Sequence, residues 1–369
     1  MPLPLSIYII ASVIKSVIVL FVLLTAVAYS VWLERKVVGH MQNRWGPTRV
    51  GPFGLLQPAA DGLKFLFKED LTPPHVYKPL FLAAPMMAVI FALTSIAVIP
   101  FGNSFTFGPV TVPQFLPFHF EMPFHWGGTV IGPYSIPFQV TDVNIGLLLI
   151  LGVTSLGVYG VALAGWSSNN KYSLLGGLRA SAQMISYEIA LGLSLVGVLI
   201  QSGTFSLRDI VNAQGGRFLY VIPRWNIFHG QFVGFFIYLM AAYAETNRIP
   251  FDLPEAETEL VAGYHTEYSS MKFAMFFMAE YANMITVGCL ATLLFFGGWN
   301  GPLAGPPLVR ALLPPLWFCA KVFCFLFLYI WVRGTLPRFR YDQLMSFGWK
   351  FLLPLAIANL VATAIAVAW

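Results

Sequence analysis

The chain has only 16 acidic residues among 369, and five of them fall in ETNRIPFDLPEAETE, residues 245–259. A sixth, Glu267, follows eight residues later. Glu245, Asp252, Glu255, Glu257, Glu259 and Glu267 thus gather around Arg248, Pro250 and Pro254. Asp252 followed by Glu255 fits a D-x-x-E capping box, with Pro254 early in a new helix and Pro250 ending the one before. Capping leaves Glu245, Glu257, Glu259 and Glu267 without a structural duty. In a helix Glu255 and Glu259 share a face, where like charges repel. Carboxylates crowded in this way titrate as a coupled set, so proton handling is the chemistry this stretch suggests.

Two further carboxylates interrupt apolar runs. Glu188 sits in ASAQMISYEIALGLSLVGV, with Ser181, Gln183 and Tyr187 nearby, and Glu280 in MKFAMFFMAEYANMITVG, with Asn283 one turn on. An ionised group near mid-bilayer costs at least ~2.5 kcal/mol, so such residues face a protein interior or a water-filled path. With Glu245 they form a candidate chain of carboxylates leading from the acidic stretch into the membrane. Neutral carboxyls hydrogen-bonded between helices are the alternative. Lys321 also interrupts an apolar run, where a buried structural partner and a relay role both fit.

The elements that must position these groups are strongly apolar. With 57% hydrophobic and 10% charged residues and a mean hydropathy of +0.73, the composition is that of an integral membrane protein. Eight stretches, at about 7–33, 79–100, 144–164, 180–201, 227–244, 271–297, 308–333 and 346–368, approach the roughly 20 residues that span a bilayer as helix. The first is too long, and lacks the cleavage site, for a removable signal peptide. Backbone groups in lipid must be satisfied within the segment, which requires helices. The expected fold is an all-α integral membrane protein, one polytopic domain over 1–369, with about eight transmembrane helices and a cytoplasmic amphipathic surface helix.

Three hydrophilic stretches interrupt this pattern. In residues 34–78, Gly46, Pro47, Gly51, Pro52 and Gly54 mark a loop. From Leu55 to Lys68 the apolar residues alternate with Asp61, Lys64 and Lys68 at helical spacing, which predicts a short helix lying at the membrane surface. Residues 101–143 contain no Lys or Arg and are crowded with Pro and aromatics, as in an external loop packed into the headgroup region. Their His119, Glu121 and His125 match no zinc spacing. The third stretch is the acidic one, 245–270. Lys15 and Lys321 aside, 15 of the Lys and Arg fall in the odd-numbered connections or at the span ends beside them, and 4 in the even-numbered ones or beside them. That bias puts the odd connections in the cytoplasm and both termini on the periplasmic side.

Other chemistries lack their residues. Cys289, Cys319 and Cys324 lie in apolar runs without a CxxC pair, and an iron–sulfur cluster generally takes four ligands. No glycine-rich nucleotide loop occurs, and no basic stripe with interleaved aromatics points to nucleic acid. Any redox cofactor would sit on a partner.

Three segments carry a resemblance: ERKVVGHMQNRWGPTRVGPFGLLQPAADGLKFLFKED, GWSSNNKYSLLGGLRASAQMISYEIALG and AETNRIPFDLPEAETELVAGYHTEYSSMKFAMFFMAEY. They resemble the quinone-site membrane subunits of respiratory complex I, a family that includes the H-type subunit of the bacterial type-1 NADH:quinone oxidoreductase and mitochondrial subunit 1. The likeness covers nearly the whole chain. It implies a subunit of a proton-pumping translocase in the cell inner membrane, with the other membrane and peripheral subunits of complex I, quinone and lipid as its partners. It further implies that this subunit forms the lower part of the quinone chamber, while FMN and the iron–sulfur clusters belong to partner subunits. Quinone entry past the first span and the surface helix maps onto Glu34, Arg35, Arg44 and Asp61. Arg179, Arg248 and Asp252 match charged positions lining the same cavity. The family's line of carboxylates toward the antiporter-like subunits maps onto Glu188, Glu245, Glu255, Glu257, Glu259, Glu267 and Glu280. Either ubiquinone or menaquinone suits mostly apolar contacts.

The 101–143 connection departs from the family by its length, on the side opposite the chamber. A related membrane subunit of energy-converting hydrogenases shares an RIPFDLPEAE-like segment, but the GPTRVGPFG loop and the SNNKYSLLGGLRASAQMISYE stretch favour the quinone enzyme. A stand-alone proton-coupled transporter would show two matching halves with interrupted helices, and none are evident. A purely structural anchor would not need Glu188 or Glu280 in lipid.

Overall fold

The computed structural model describes residues 5–102, 105–107, 134–136, 138–218, 222–252, 261–302 and 306–369. Glu255, Glu257 and Glu259, with the Asp252–Glu255 capping box, fall outside the described residues, as do His119, Glu121 and His125. Eleven helices follow in order among the described residues: α1 (Leu5–Met41), α2 (Gln57–Phe67), α3 (Lys78–Ser95), α4 (Gly146–Ser167), α5 (Lys171–Ser202), α6 (Leu207–Ala213), α7 (Phe232–Glu245), α8 (Ser270–Phe295), α9 (Pro307–Thr335), α10 (Tyr341–Phe347) and α11 (Leu353–Ala368). A π turn at Gly348–Leu352 joins α10 to α11. Two short antiparallel pairings, 105–107 with 134–136 and 217–218 with 222–223, are the β structure among the described residues. The protein is an all-α membrane protein.

Among the described residues seven helices, with α10 and α11 taken as one, are long and apolar enough to cross a membrane, and α7 is a shorter apolar helix. The apolar run expected to form the fifth span begins at residue 227, whereas α7 starts at Phe232 and has 14 residues. At 1.5 Å per residue that is only about 21 Å. The preceding residues have another task. Gln214 Nε2, Asn226 Nδ2 and the Ile227 amide donate to the carbonyls of Leu293, Leu294 and Phe295 at 2.8, 2.7 and 3.2 Å. They satisfy the carboxyl end of α8, whose last carbonyls have no partner within the helix. Irregular backbone at this depth is tolerated where it is buried in protein. Lys321 completes the cap, with Nζ 2.8 Å from each of the carbonyls of Phe296, Gly298 and Asn300. That settles its role as a structural partner.

Helix α8 is the centre of the bundle: 61% of its apolar window is buried, against 17% for α1 and 11% for the span formed by α10 and α11. Helix α3 packs on α4 and α8, α4 on α5, and α5 on α7 and α11. Small residues permit the closest approaches. A Cβ on Gly176 would lie 2.7 Å from Gly263 Cα, so α5 touches the backbone of the turn at Gly263–His265 directly. Asn170 caps the start of α5 by accepting from the Tyr172 amide, and Gly203, in the left-handed region, closes its end.

The surface helix forms as its periodicity predicts, with Leu63, Leu66 and Phe67 exposed. Helix α7 ends at Glu245, five residues before Pro250, with Asn247 in a left-handed turn between them.

In the connection between α7 and α8, His265 is 4% exposed among Tyr264, Phe273, Phe276 and Phe277. Burial pushes its pKa down from 6.5 to about 3. The folded state therefore keeps His265 neutral where the unfolded chain would bind a proton, so its stabilising effect is present above about pH 6.5 and declines as pH falls toward 3. Between pH 6.5 and 5 the loss should approach about 2 kcal/mol, at 1.36 kcal/mol per pH unit. Thermal unfolding of the detergent-purified assembly at pH 7.5 and pH 5 checks this: His265→Leu should narrow the gap between the two midpoints.

Candidate functional site

Three helix segments and one connection deliver charges to a single buried point. The last turns of α1 carry Glu34 and Arg35, the middle of α8 carries Glu280 and Tyr281, and the end of α9 carries Arg333. Arg248 comes from the turn after α7. Its Nε lies 2.6 Å from Glu280 Oε1 and its Nη1 lies 3.5 Å from Glu34 Oε2. The guanidinium carbon stands 4.1 Å over the Tyr281 ring, and Tyr281 Oη donates to Glu34 Oε2 at 2.8 Å. Arg333 Nη1 pairs with the other Glu34 oxygen. Glu34 and Arg248 are 8% and 6% exposed. Two carboxylates and two guanidiniums balance one another, the condition under which charges are tolerated away from water.

This cluster lies between two cavities. On one side is a cleft of about 600 Å³, lined by Glu34, Arg35, Arg44, Arg49, Gln57 and Arg333 among others. Arg35 Nη1 pairs with Asp61 Oδ2 at 2.7 Å, and Gln57 Nε2 donates to Asp61 Oδ1 at 2.9 Å, so α2 forms a wall of the cleft. Arg44 is held at its edge by Gln42, at 2.8 Å. On the other side is a cavity of about 40 Å³ lined by Glu245, Thr246, Asn247, Glu280 and Asn283, together with apolar residues. That volume and those polar groups suffice for an ordered water. Glu245 in turn is within electrostatic reach of Glu188, whose carboxylate accepts from Ser155 on α4.

Several residues anticipated from the sequence are therefore gathered here: Glu34, Arg35, Arg44 and Asp61 around the cleft, and Arg248, Glu280, Glu245 and Glu188 leading away from it. Others sit apart. Asp252 is buried and pairs with Arg338 at 2.9 Å, and Arg179 lies over the Tyr341 ring at 5.7 Å. Glu267 accepts from Asn170 Nδ2 at 2.8 Å and lies 3.9 Å from His75 Nε2. The sequence neighbours of Glu188 turn elsewhere. Gln183 donates to the carbonyls of Ala244 and Phe251, Tyr187 to Leu344, and Ser181 to Gly177 and Leu178. Arg333, Tyr281 and Ser155 join the site, and Arg338 pairs with Asp252, without any sequence signal that marks them for it. The basic run RGTLPRFR carries only an orientation signal, because pairing over some 300 residues leaves no periodic trace.

The cluster makes a direct energetic expectation. Arg248→Met leaves Glu34 and Glu280 without their shared cation, a change that costs about 3–5 kcal/mol when a buried pair is broken. Amounts of assembled complex in membranes should fall accordingly. Adding Glu280→Gln should restore much of that loss, because the two sites couple.

Residues 14–364 match the protein family described as NADH dehydrogenase. The chain is 67% identical over 366 residues to the second H-type subunit of the NADH-quinone oxidoreductase of Koribacter versatilis, covering 98% of each. It is 50% identical over 416 residues to the first H-type subunit of the same enzyme in Solibacter usitatus, again covering 98% of each. The first H-type subunit of the Geobacter sulfurreducens enzyme is 49% identical over 362 residues, covering 98% of this chain and 96% of that one. With its apolar helices and a match along almost its whole length, this chain belongs to the NADH dehydrogenase family of membrane subunits.

Proposed function

We propose that this chain is the membrane subunit of a proton-pumping NADH:quinone oxidoreductase that forms the quinone chamber and couples quinone reduction to proton translocation. The observation that carries the reading is Arg248. One guanidinium joins Glu34, which lines the large cleft, to Glu280, which lines the small polar cavity. A charge change in the cleft is therefore felt by a carboxylate on the inner side.

The chemistry fits this arrangement. Converting a quinone to a quinol takes two electrons and two protons, so the charge in the chamber changes at each turnover. Arg35, Arg44 and Arg333 can stabilise a reduced, negatively charged head group by donating to its oxygens. As Arg333 shifts from Glu34 toward such a head group, Glu34 draws more on Arg248, and Glu280 is left less fully balanced. Glu280, Glu245 and Glu188 then supply consecutive proton-binding groups, with the intervening cavity holding water between the first two. Asp252 and Arg179 contribute further charge at the cytoplasmic rim. Glu255, Glu257, Glu259 and Glu267 complete the acidic connection as proton donors and acceptors on that side.

Flavin and iron–sulfur centres belong, in this reading, to partner subunits. Among the described residues no three His, Cys, Asp or Glu converge as a metal-binding group, and Cys289, Cys319 and Cys324 are free thiols. The residues present do not suit a cluster, and no step of this mechanism passes through one. The partners are the remaining membrane and peripheral subunits. The site is the inner membrane, with both termini on the periplasmic face and the cleft toward the cytoplasm.

Inverted membrane vesicles test the reading. NADH-driven quinone reduction and the accompanying acidification are recorded together in wild type, a deletion of this chain, and Glu245→Gln. Both activities should vanish in the deletion and collapse in assembled Glu245→Gln. Full activity in the deletion would assign the chain to another machine. Full activity in the Gln variant alone would remove Glu245 from the path.

A further inference from the structure

The carboxyl end of α2 is fastened to the start of α8 by polar contacts that neither the cleft nor the carboxylate path requires. Ser270 Oγ lies 2.7 Å from Phe65 O and 3.0 Å from Lys68 O. Ser269 Oγ accepts from the Leu71 amide at 3.0 Å. Lys272 Nζ donates to Thr72 Oγ1 at 2.6 Å and to Leu71 O at 3.2 Å, and pairs with Asp70 Oδ1 at 2.9 Å. Lys272 is itself 6% exposed and stands 5.2 Å over the Phe81 ring.

These groups answer a need of the helix they hold. The last carbonyls of α2 lack partners within the helix and carry the negative end of its dipole. The Ser270 hydroxyl of α8 supplies a donor to that end, and the Lys272 ammonium holds Asp70, Leu71 and Thr72 in the segment that follows it. Ser270 holds φ at +53°, a left-handed conformation that is costly for a residue with a Cβ. Its hydroxyl reaches both carbonyls from that conformation.

Helix α2 has little else to fix it at this end. None of its residues is buried, and its ring contact with α8 is the tilted pair of Phe65 with Phe273, at 6.4 Å. Its middle is tied to α1 by Asp61 and Arg35. Two polar attachments thus set its tilt, and tilt decides how far the Gln57 end stands from Glu34 across the cleft. Lys272 is not among the residues lining that cleft.

We infer that Lys272, with Ser269 and Ser270, is a positioning clasp that sets the angle of α2 and thereby the opening through which a lipid-soluble, apolar-tailed quinone enters the cleft. The inference rests on the quinone reading above. A clasp of this kind acts on substrate access and leaves electron delivery and proton transfer alone.

The test uses membranes holding the assembled complex and a decyl-tailed quinone. Beside it, NADH oxidation by a soluble acceptor that draws electrons from the peripheral partners is measured. Lys272→Met should raise the KM for the quinone about five- to tenfold, the loss expected for one ordinary hydrogen-bonded contact, with kcat within about twofold. The soluble-acceptor rate should not move, and Lys272→Arg should return KM toward wild type. Ser270→Ala should raise KM in the same sense, and it decides the matter if Lys272→Met does not assemble. An unchanged KM in the assembled variants overturns the clasp. So does a fall in kcat at unchanged KM, which would place Lys272 in the coupling path. Quinone reduction that persists in a strain lacking this chain is a different result: it removes the quinone reading, and the clasp with it.

Discussion

The structure depends on one buried cation. Arg248 holds Glu280 at 2.6 Å and Glu34 at 3.5 Å, and without it two carboxylates would face each other in a region that water does not reach freely. Desolvation makes such a group tolerable only when its neighbours balance it closely. Balance requires α1, α8, α9 and the turn after α7 to meet at one point. The fold can be read as the means of making them do so: α8 runs through the centre, and α1 and α9 lean on it from outside.

A low dielectric makes that balance consequential in another respect. A charge introduced beside Glu34 is poorly screened, so its effect reaches Glu280 through the shared guanidinium instead of dissipating in solvent. Glu280 has a polar cavity on its far side, and Glu245 stands across it. The same poverty of water that makes the cluster expensive also makes it sensitive. Stability and signalling draw on one arrangement of four charges.

Much of this was legible in the sequence. Apolar runs located the spans, although α1 continues eight residues past 33 and α5 begins nine residues before 180, and the alternation around Asp61 located α2, because both signals are periodic and local. Carboxylates in apolar runs pointed to Glu188 and Glu280 for a reason of energy alone. What could not be read was pairing. Nothing local in VWLERK shows that Glu34 meets Arg333, or in SLGVYG that Ser155 meets Glu188. Nor does anything local show that Glu267 meets Asn170 and His75. The fifth span was expected from 227 because Ile227 and Phe228 extend the apolar run, yet Asn226 and Ile227 are used to cap α8.

The attachments of α2 bear on how the chain is made. Its partners Ser270 and Lys272 lie about 200 residues further along. At roughly 5–20 residues per second of synthesis, α2 leaves the ribosome some ten to forty seconds before them. With no buried residue of its own, it has only the Arg35–Asp61 pair with α1 to hold it during that interval. This wall of the cleft is thus synthesised well before it is fully fixed, and the cleft takes its final shape only after the central helix has entered the membrane.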